Sequence, residues 1–279
     1  MYEKRYFNLI SAHALIDPKA EVDNNVVVGP YSIISANVQI KAGTWIGPHV
    51  VIKGPTRIGR DNKIYQFTSL GENPQDKKYK GEVNTRLEIG DRNEIREYCT
   101  MNRGTVQGGS VTHIGNDNWI MAYCHIAHDC QVGNHTVFAN GASLAGHVRI
   151  EDHVILGGFT LVHQFCAMGV HSFSGASSLI FKDVPPFVKV WGNRAEAYGI
   201  NKEGLRRQGF SSETIRALHQ AYKIVYKQNL TTEQAIENLN ELRYKYSEVR
   251  QLVTFLRQST RGIVRGKGEG SKVDGAQNG

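Results

Sequence analysis

The chain has 279 residues, enough to bury a sizeable core, and its 40% hydrophobic and 21% charged content is that of a globular protein. No stretch approaches the roughly 20 apolar residues of a membrane helix, and four cysteines do not make a disulfide framework. The formal charge of +7 sits almost wholly in residues 201–267, with 13 basic and 6 acidic side chains. Interleaved aromatic platforms are missing there, so an acidic protein or a phosphorylated small molecule ranks above nucleic acid as partner.

The N-terminal stretch "YFNLISAHALI" follows Lys4-Arg5, but its apolar run is short and carries Asn8 and Ser11. It falls below the roughly 7 to 15 residues of a working signal, and the expectation is a cytosolic protein without an integral membrane segment. From Ile16 onward a six-residue clock takes over: Val22, Val28, Ile34, Ile40, Ile46, Ile52, Ile58, Ile64 and Leu70. It resumes at Ile89 and again at Ile114, then runs to Ile180 with Ser174 as the one polar step. A period of six is neither helical nor a plain alternation. Glycine often follows the aliphatic residue, and a small or branched residue stands two before it, on the same strand face. Short strands turning every six residues describe a parallel β-helix of three flat faces.

The two phase breaks predict loops thrown out of the coil near 71–88 and 102–113, polar and glycine-rich as functional excursions are. The β-helix is expected over 1–190 and an α-helical domain over 191–262, with Ser211 capping one helix and "TTEQ" at 231–234 forming a capping box. Residues 263–279 carry too little apolar content to fold and are expected to be disordered.

The stretch "MAYCHIAHDCQVGNH" crowds Cys124, Cys130, His125, His128 and His135 into fifteen residues. The clock sorts them. Cys99, Cys124, Cys130 and Cys166 all stand two before an aliphatic step and point inward as packing thiols. His125 faces outward, and His128 lies near a corner with Asp129 after it. One 18-residue coil later, "LAGH" sets Gly146 and His147 beside them. A histidine near neutrality with a carboxylate neighbour suits proton abstraction from an alcohol, and a glycine N–H can meet an oxyanion, so acyl transfer to a hydroxyl is indicated. His135 and His153 read as solvated turn residues. A metal-dependent hexapeptide enzyme with histidines between subunits, and a non-catalytic scaffold, stay open at this point. No metal ligand set is assigned.

At "IAHDC", "LAGH", "HQFC", "RGTVQGG", "DVPP" and "STRG" the sequence resembles the bacterial UDP-N-acetylglucosamine acyltransferase family of lipid A biosynthesis, over about residue 10 to Arg265. The resemblance implies an all-β left-handed parallel β-helix followed by a smaller helical domain, assembled as a cytoplasmic homotrimer with sites between subunits. The implied reaction moves an (R)-3-hydroxyacyl chain from acyl carrier protein to the glucosamine 3-hydroxyl of UDP-N-acetylglucosamine. No cofactor is implied beyond the donor's phosphopantetheine thioester. His128 would be the general base, Asp129 its support and Gly146 the oxyanion donor. Substrate contacts would come from Asp76, Lys78, His125, His147, His163, Gln164, Asn201, Glu203 and Arg207. Ala176 stands near the position that sets acyl length, where a glycine admits a long chain. Gln208, where the family often has arginine, and Arg194 depart from the pattern.

Overall fold

The computed structural model describes residues 9–266. From Leu15 to Ile180 the chain coils through three sheets in rotation, each strand two to four residues long. Face 1 has nine strands, from Leu15–Ile16 to Leu179–Ile180; face 2 has eight, from Glu21–Val22 to Ala167–Met168; face 3 has ten, from Val27–Val28 to Glu196–Ile200. Each strand pairs in parallel with the strand one coil on, as in Leu15↔Ile33, Val22↔Ile40 and Val28↔Ile46. The result is a left-handed parallel β-helix.

The six-residue clock is the core. Ile40, Ile46, Ile52, Ile64, Leu70, Ile95, Ile120, Ile126 and Leu144 are fully buried, each contributing on the order of 1.5–3 kcal/mol from area removed from water. Inward polar residues two before them are paired in ladders. Asn93 Nδ2 donates to Asn62 Oδ1 at 3.0 Å, and Thr136 Oγ1 donates to Asn118 Oδ1 at 2.7 Å. Ser174, the polar step in the clock, is buried too and lies 2.9 Å from Thr160 Oγ1. The glycine after the aliphatic step serves close approach: a Cβ on Gly29 would meet the Gly47 carbonyl carbon at 2.7 Å.

Left-handed backbone sits instead at the corners, on side chains ranged along the coil axis. Corner 1, between faces 1 and 2, carries Asp129, His147 and Phe165. Corner 2, between faces 2 and 3, carries His135, His153 and His171. Corner 3 carries Tyr31, Phe67, Tyr98, Tyr123 and Phe159. All have φ between 56° and 65°.

The excursions leave where the phase breaks predict, after strands Ser69–Glu72 and Thr100–Asn102, and return at Arg86–Ile89 and Val111–Ile114. Five helices follow: α1 (Lys202–Arg207), α2 (Ser212–Lys227), α3 (Thr232–Asn238), α4 (Asn240–Lys245) and α5 (Ser247–Gln258). Ser211 caps α2 through Thr214 N–H, and the Thr231–Gln234 capping box is formed at α3. The tyrosine hydroxyl of Tyr222 on α2 donates to Ala197 O at 3.2 Å, docking the helices on the last strand.

Two boundaries differ from the sequence expectation. Sheet structure does not stop at 190: strand Val188–Trp191 turns back antiparallel onto Glu196–Ile200. Residues 263–266 are ordered, with Ile263 and Val264 buried and bridges from Ile263 to Asp183 and from Gly266 to Ala197. Those two aliphatic side chains supply the apolar area that the composition of the whole segment conceals. The rest of the expected tail lies outside the described residues.

Candidate active site

Corner 1 builds the site. The chain leaves face 1 at His125–Ile126, turns through His128 and Asp129, and enters face 2 at Gln131–Val132. Asp129 is 4% exposed, and its carboxylate is held by Thr105 of the 102–113 excursion and by His128. Oδ1 accepts from Thr105 N–H at 2.8 Å, Oδ2 accepts from the Thr105 hydroxyl at 2.6 Å, and Oδ2 also lies 2.8 Å from His128 Nδ1. The Asp129 N–H donates to Thr112 Oγ1 at 2.8 Å. Burial alone would raise this carboxyl, but the hydrogen bonds from His128 and Thr105 outweigh it and hold it below the usual carboxylate range. An ionised Asp129 fixes the proton on His128 Nδ1 and leaves the Nε2 lone pair free.

Gly146 lies one coil above. A Cβ there would sit 2.6 Å from His128 Cε1 and 2.8 Å from Nε2, so only glycine lets the imidazole lie against the backbone. The Gly146 N–H meets no acceptor among the described residues. His147 stands edge-on to His128 with centroids 5.1 Å apart and stacks on Phe165 at 4.5 Å. Burial lowers the His147 pKa, while the charges of Asp129 and Asp76 oppose it. Asp76 stands on the 73–85 loop, whose tip is closed by Lys78 N–H donating to Asp76 Oδ1 at 2.9 Å. The Lys78 side chain is exposed. On face 1, His125 Nδ1 lies 2.7 Å from Thr100 Oγ1, and burial followed by the charge of His128 lowers its pKa.

Within one protomer the remaining expected residues are spread out. His163 and Gln164 lie two coils beyond Ala127 and His128, with the His163 Nδ1 3.1 Å from the Gln164 carbonyl and 3.5 Å from Arg261 Nη2. Asn201 caps α1 and donates to the His171 carbonyl at 3.1 Å, which sets it against corner 2 with Glu203 and Arg207 on the following turn. Glu203 pairs with Arg206 at 2.7 Å; Arg207 is exposed, as are Gln208 and Arg194. Ala176 is exposed on corner 3. One chain thus gathers His125, His128, Asp129, Gly146 and His147, with Asp76 nearby, and leaves Asn201, Glu203, Arg207 and Ala176 on other corners.

His128, Asp129 and His147 offer donor atoms within 4.8 Å of one another and could hold a metal ion. Asp129 Oδ2 already meets the Thr105 hydroxyl and His128 Nδ1, so an ion bound through Oδ2 would compete with those hydrogen bonds. The four cysteines are buried. Burial pushes the Cys130 thiol up to about 12 and the Cys166 thiol up to about 11, far from a thiolate nucleophile.

Spacing alone misses Thr100, Thr105 and Thr112. Their partners lie 25, 24 and 17 residues away, the first two across an excursion that interrupts the clock. His135 and His153 lie at turns, His135 exposed and His153 half-buried, and they also stack at 4.9 Å, with His153 on His171 at 4.5 Å. Period-18 recurrence at a corner position was the available signal.

Residues 183–264 match the family model for UDP-N-acetylglucosamine O-acyltransferase, domain 2, and residues 112–146 match the bacterial transferase hexapeptide model of six repeats. The chain is 55% identical over 262 residues to the acyl-[acyl-carrier-protein]--UDP-N-acetylglucosamine O-acyltransferase of Herminiimonas arsenicoxydans, covering 92% of this chain and 100% of that protein. It is 56% identical over 252 residues to the enzyme of the same name from Thiobacillus denitrificans, covering 90% and 97%. The structure of LpxA from Acinetobacter baumannii superposes with a TM-score of 0.91 at 51% identity, covering 92% of this chain and 100% of that one.

Proposed function

The chain belongs to the UDP-N-acetylglucosamine O-acyltransferase family, and on that footing we propose that it moves an (R)-3-hydroxyacyl chain from acyl carrier protein to the glucosamine 3-hydroxyl of UDP-N-acetylglucosamine, the first step of lipid A biosynthesis. His128 Nε2 removes the proton of the acceptor hydroxyl as its oxygen attacks the thioester carbonyl. The carbonyl oxygen, now anionic, accepts a hydrogen bond from the Gly146 N–H. The tetrahedral adduct collapses with cleavage of the C–S bond, and the departing phosphopantetheine thiolate takes the proton back from His128 Nε2. Transfer is direct, and no resident cofactor takes part.

The observation that carries this reading is the 2.8 Å contact from His128 Nδ1 to a buried, doubly anchored Asp129, which leaves Nε2 basic and facing Gly146. Around it, Asp76, Lys78 and His125 serve the glucosamine, His147, His163 and Gln164 line the pocket, and Asn201, Glu203 and Arg207 hold the nucleotide, where a guanidinium suits a diphosphate. Ala176 limits the acyl chain. Asn201 and Ala176 stand on corners 2 and 3 while His128 stands on corner 1, so a complete site needs neighbouring copies, which supports a homotrimer. The basic segment 201–267 suits docking of the acidic carrier protein. Among the described residues no helix is long and apolar enough to cross a membrane, and a cytoplasmic site of action fits that.

Mass spectrometry of the products formed from UDP-N-acetylglucosamine and a panel of 3-hydroxyacyl carrier proteins tests the reading. A single O-acylated sugar nucleotide is expected; an N-acylated product, or none from any donor, contradicts it.

A further inference from the structure

The two excursions from the coil are not independent. Strand Thr100–Asn102 ends in Asn102-Arg103-Gly104-Thr105, and these residues reach in two directions. Toward the 73–85 loop, Asn102 Nδ2 donates to the Asn73 carbonyl at 2.9 Å, and Arg103 donates to Tyr79 OH at 3.0 Å, to the Gly54 carbonyl at 2.6 Å and to Asn73 Oδ1. Tyr79 closes the same turn as Asp76, its N–H donating to the Asp76 carbonyl at 3.0 Å. Toward the dyad, Thr105 supplies both anchors of Asp129. The turn that follows is fitted to the carboxylate, since a Cβ on Gly108 would lie 2.0–2.4 Å from its atoms. Gly104 permits the crossing: a Cβ there would lie 2.4 Å from Val111 N.

We propose that residues 102–105 are a brace that sets the sugar-binding loop and the proton-transfer dyad relative to each other, with Arg103 and Thr105 as positioning residues for the two halves. The inference rests on the reading of His128–Asp129 as the base pair and of the Asp76 loop as a glucosamine contact. A guanidinium with three acceptors is rigid in a way that lysine cannot reproduce. A carboxylate held by two further donors keeps the histidine in one tautomer and one orientation. The sequence shows the tetrapeptide beside a phase break but not its two-sided reach.

Steady-state kinetics on the full-length enzyme separates the two arms. Thr105→Val should lower kcat about tenfold or more with KM for UDP-N-acetylglucosamine unchanged, and should displace the acid limb of the kcat–pH profile, because the Asp129 carboxylate loses a donor. Thr105→Ser should restore both. Arg103→Met should raise that KM about tenfold while kcat stays within about twofold, and Arg103→Lys should not rescue it. Gly108→Ala crowds the Asp129 carboxylate while keeping the Thr105 side chain, whose hydroxyl accepts from the Gly108 N–H at 3.2 Å, and should reproduce the kcat loss, which keeps the test alive if Thr105→Val fails to fold. Wild-type kcat and pH profile in Thr105→Val, or a parallel change of kcat and KM in both arms, overturns the brace. His128→Ala run alongside separates the two ideas: if it retains turnover, the base reading itself fails, whereas an inactive His128→Ala beside a fully active Thr105→Val sinks the brace alone.

Discussion

The chemistry of corner 1 depends on which atoms of a few residues are already occupied. Asp129 spends both oxygens on Thr105 and His128, and the free Nε2 of His128 is the consequence. The sequence made His128, Asp129, Gly146 and His147 legible because they recur at fixed offsets on one corner. Thr105 was hidden because its partner lies 24 residues on, across a loop with no period. Likewise the inward setting of the cysteines followed from register, whereas the hydrogen bond between Thr100 and His125 needed coordinates. At this scale Ala176 carries a prediction of its own. If Ala176 limits the acyl chain as proposed, Ala176→Gly should shift the preferred donor by about two carbons toward longer chains, because a packed pocket responds to a single methylene. Turnover of 10-, 12-, 14- and 16-carbon hydroxyacyl carriers by the two enzymes reads the shift, and an unchanged preference rejects the role.

Strands and loops were legible where the clock ran and where it broke, since both excursions leave at the phase breaks. What the pattern did not reveal is the stacking of corner side chains. His135, His153 and His171 lie ring on ring, and His171 ends the column against Phe187 and Phe210, with centroids at 5.9 and 5.0 Å. Burial and the neighbouring His153 push the His171 pKa down to about 4, against a smaller opposing pull from Asp152; burial also lowers His153. A histidine whose native pKa is depressed binds its proton in the unfolded chain first. Stability therefore holds above about pH 6.5 and falls as the pH drops toward 4. After allowance for solvent screening, His171 accounts for ~1–2 kcal/mol of that loss. Thermal melting of wild type and His171→Phe at pH 7.5, 6 and 4.5 checks it: the variant should lose less stability on acidification, and equal slopes contradict the assignment.

As a whole the molecule is a three-faced coil with a helical appendage, and the hexad register alone dictated the three faces and the buried column within them. The placement of Asn201 and Ala176 on corners other than that of His128 was not legible, because a repeat fixes height along the coil but says nothing of what packs against each edge. On the proposed roles, corner 1 would bring the base, corner 2 the nucleotide residues and corner 3 the acyl limit, an arrangement that an assembly would have to complete. The central claim is that His128, held by Asp129 against Gly146, performs the proton transfer. The most direct test is the turnover number of His128→Gln, measured with UDP-N-acetylglucosamine and the preferred hydroxyacyl carrier on enzyme whose melting temperature and assembly state match wild type. The geometry predicts a fall of about 10²–10⁴-fold; a turnover number within about twofold of wild type would contradict it.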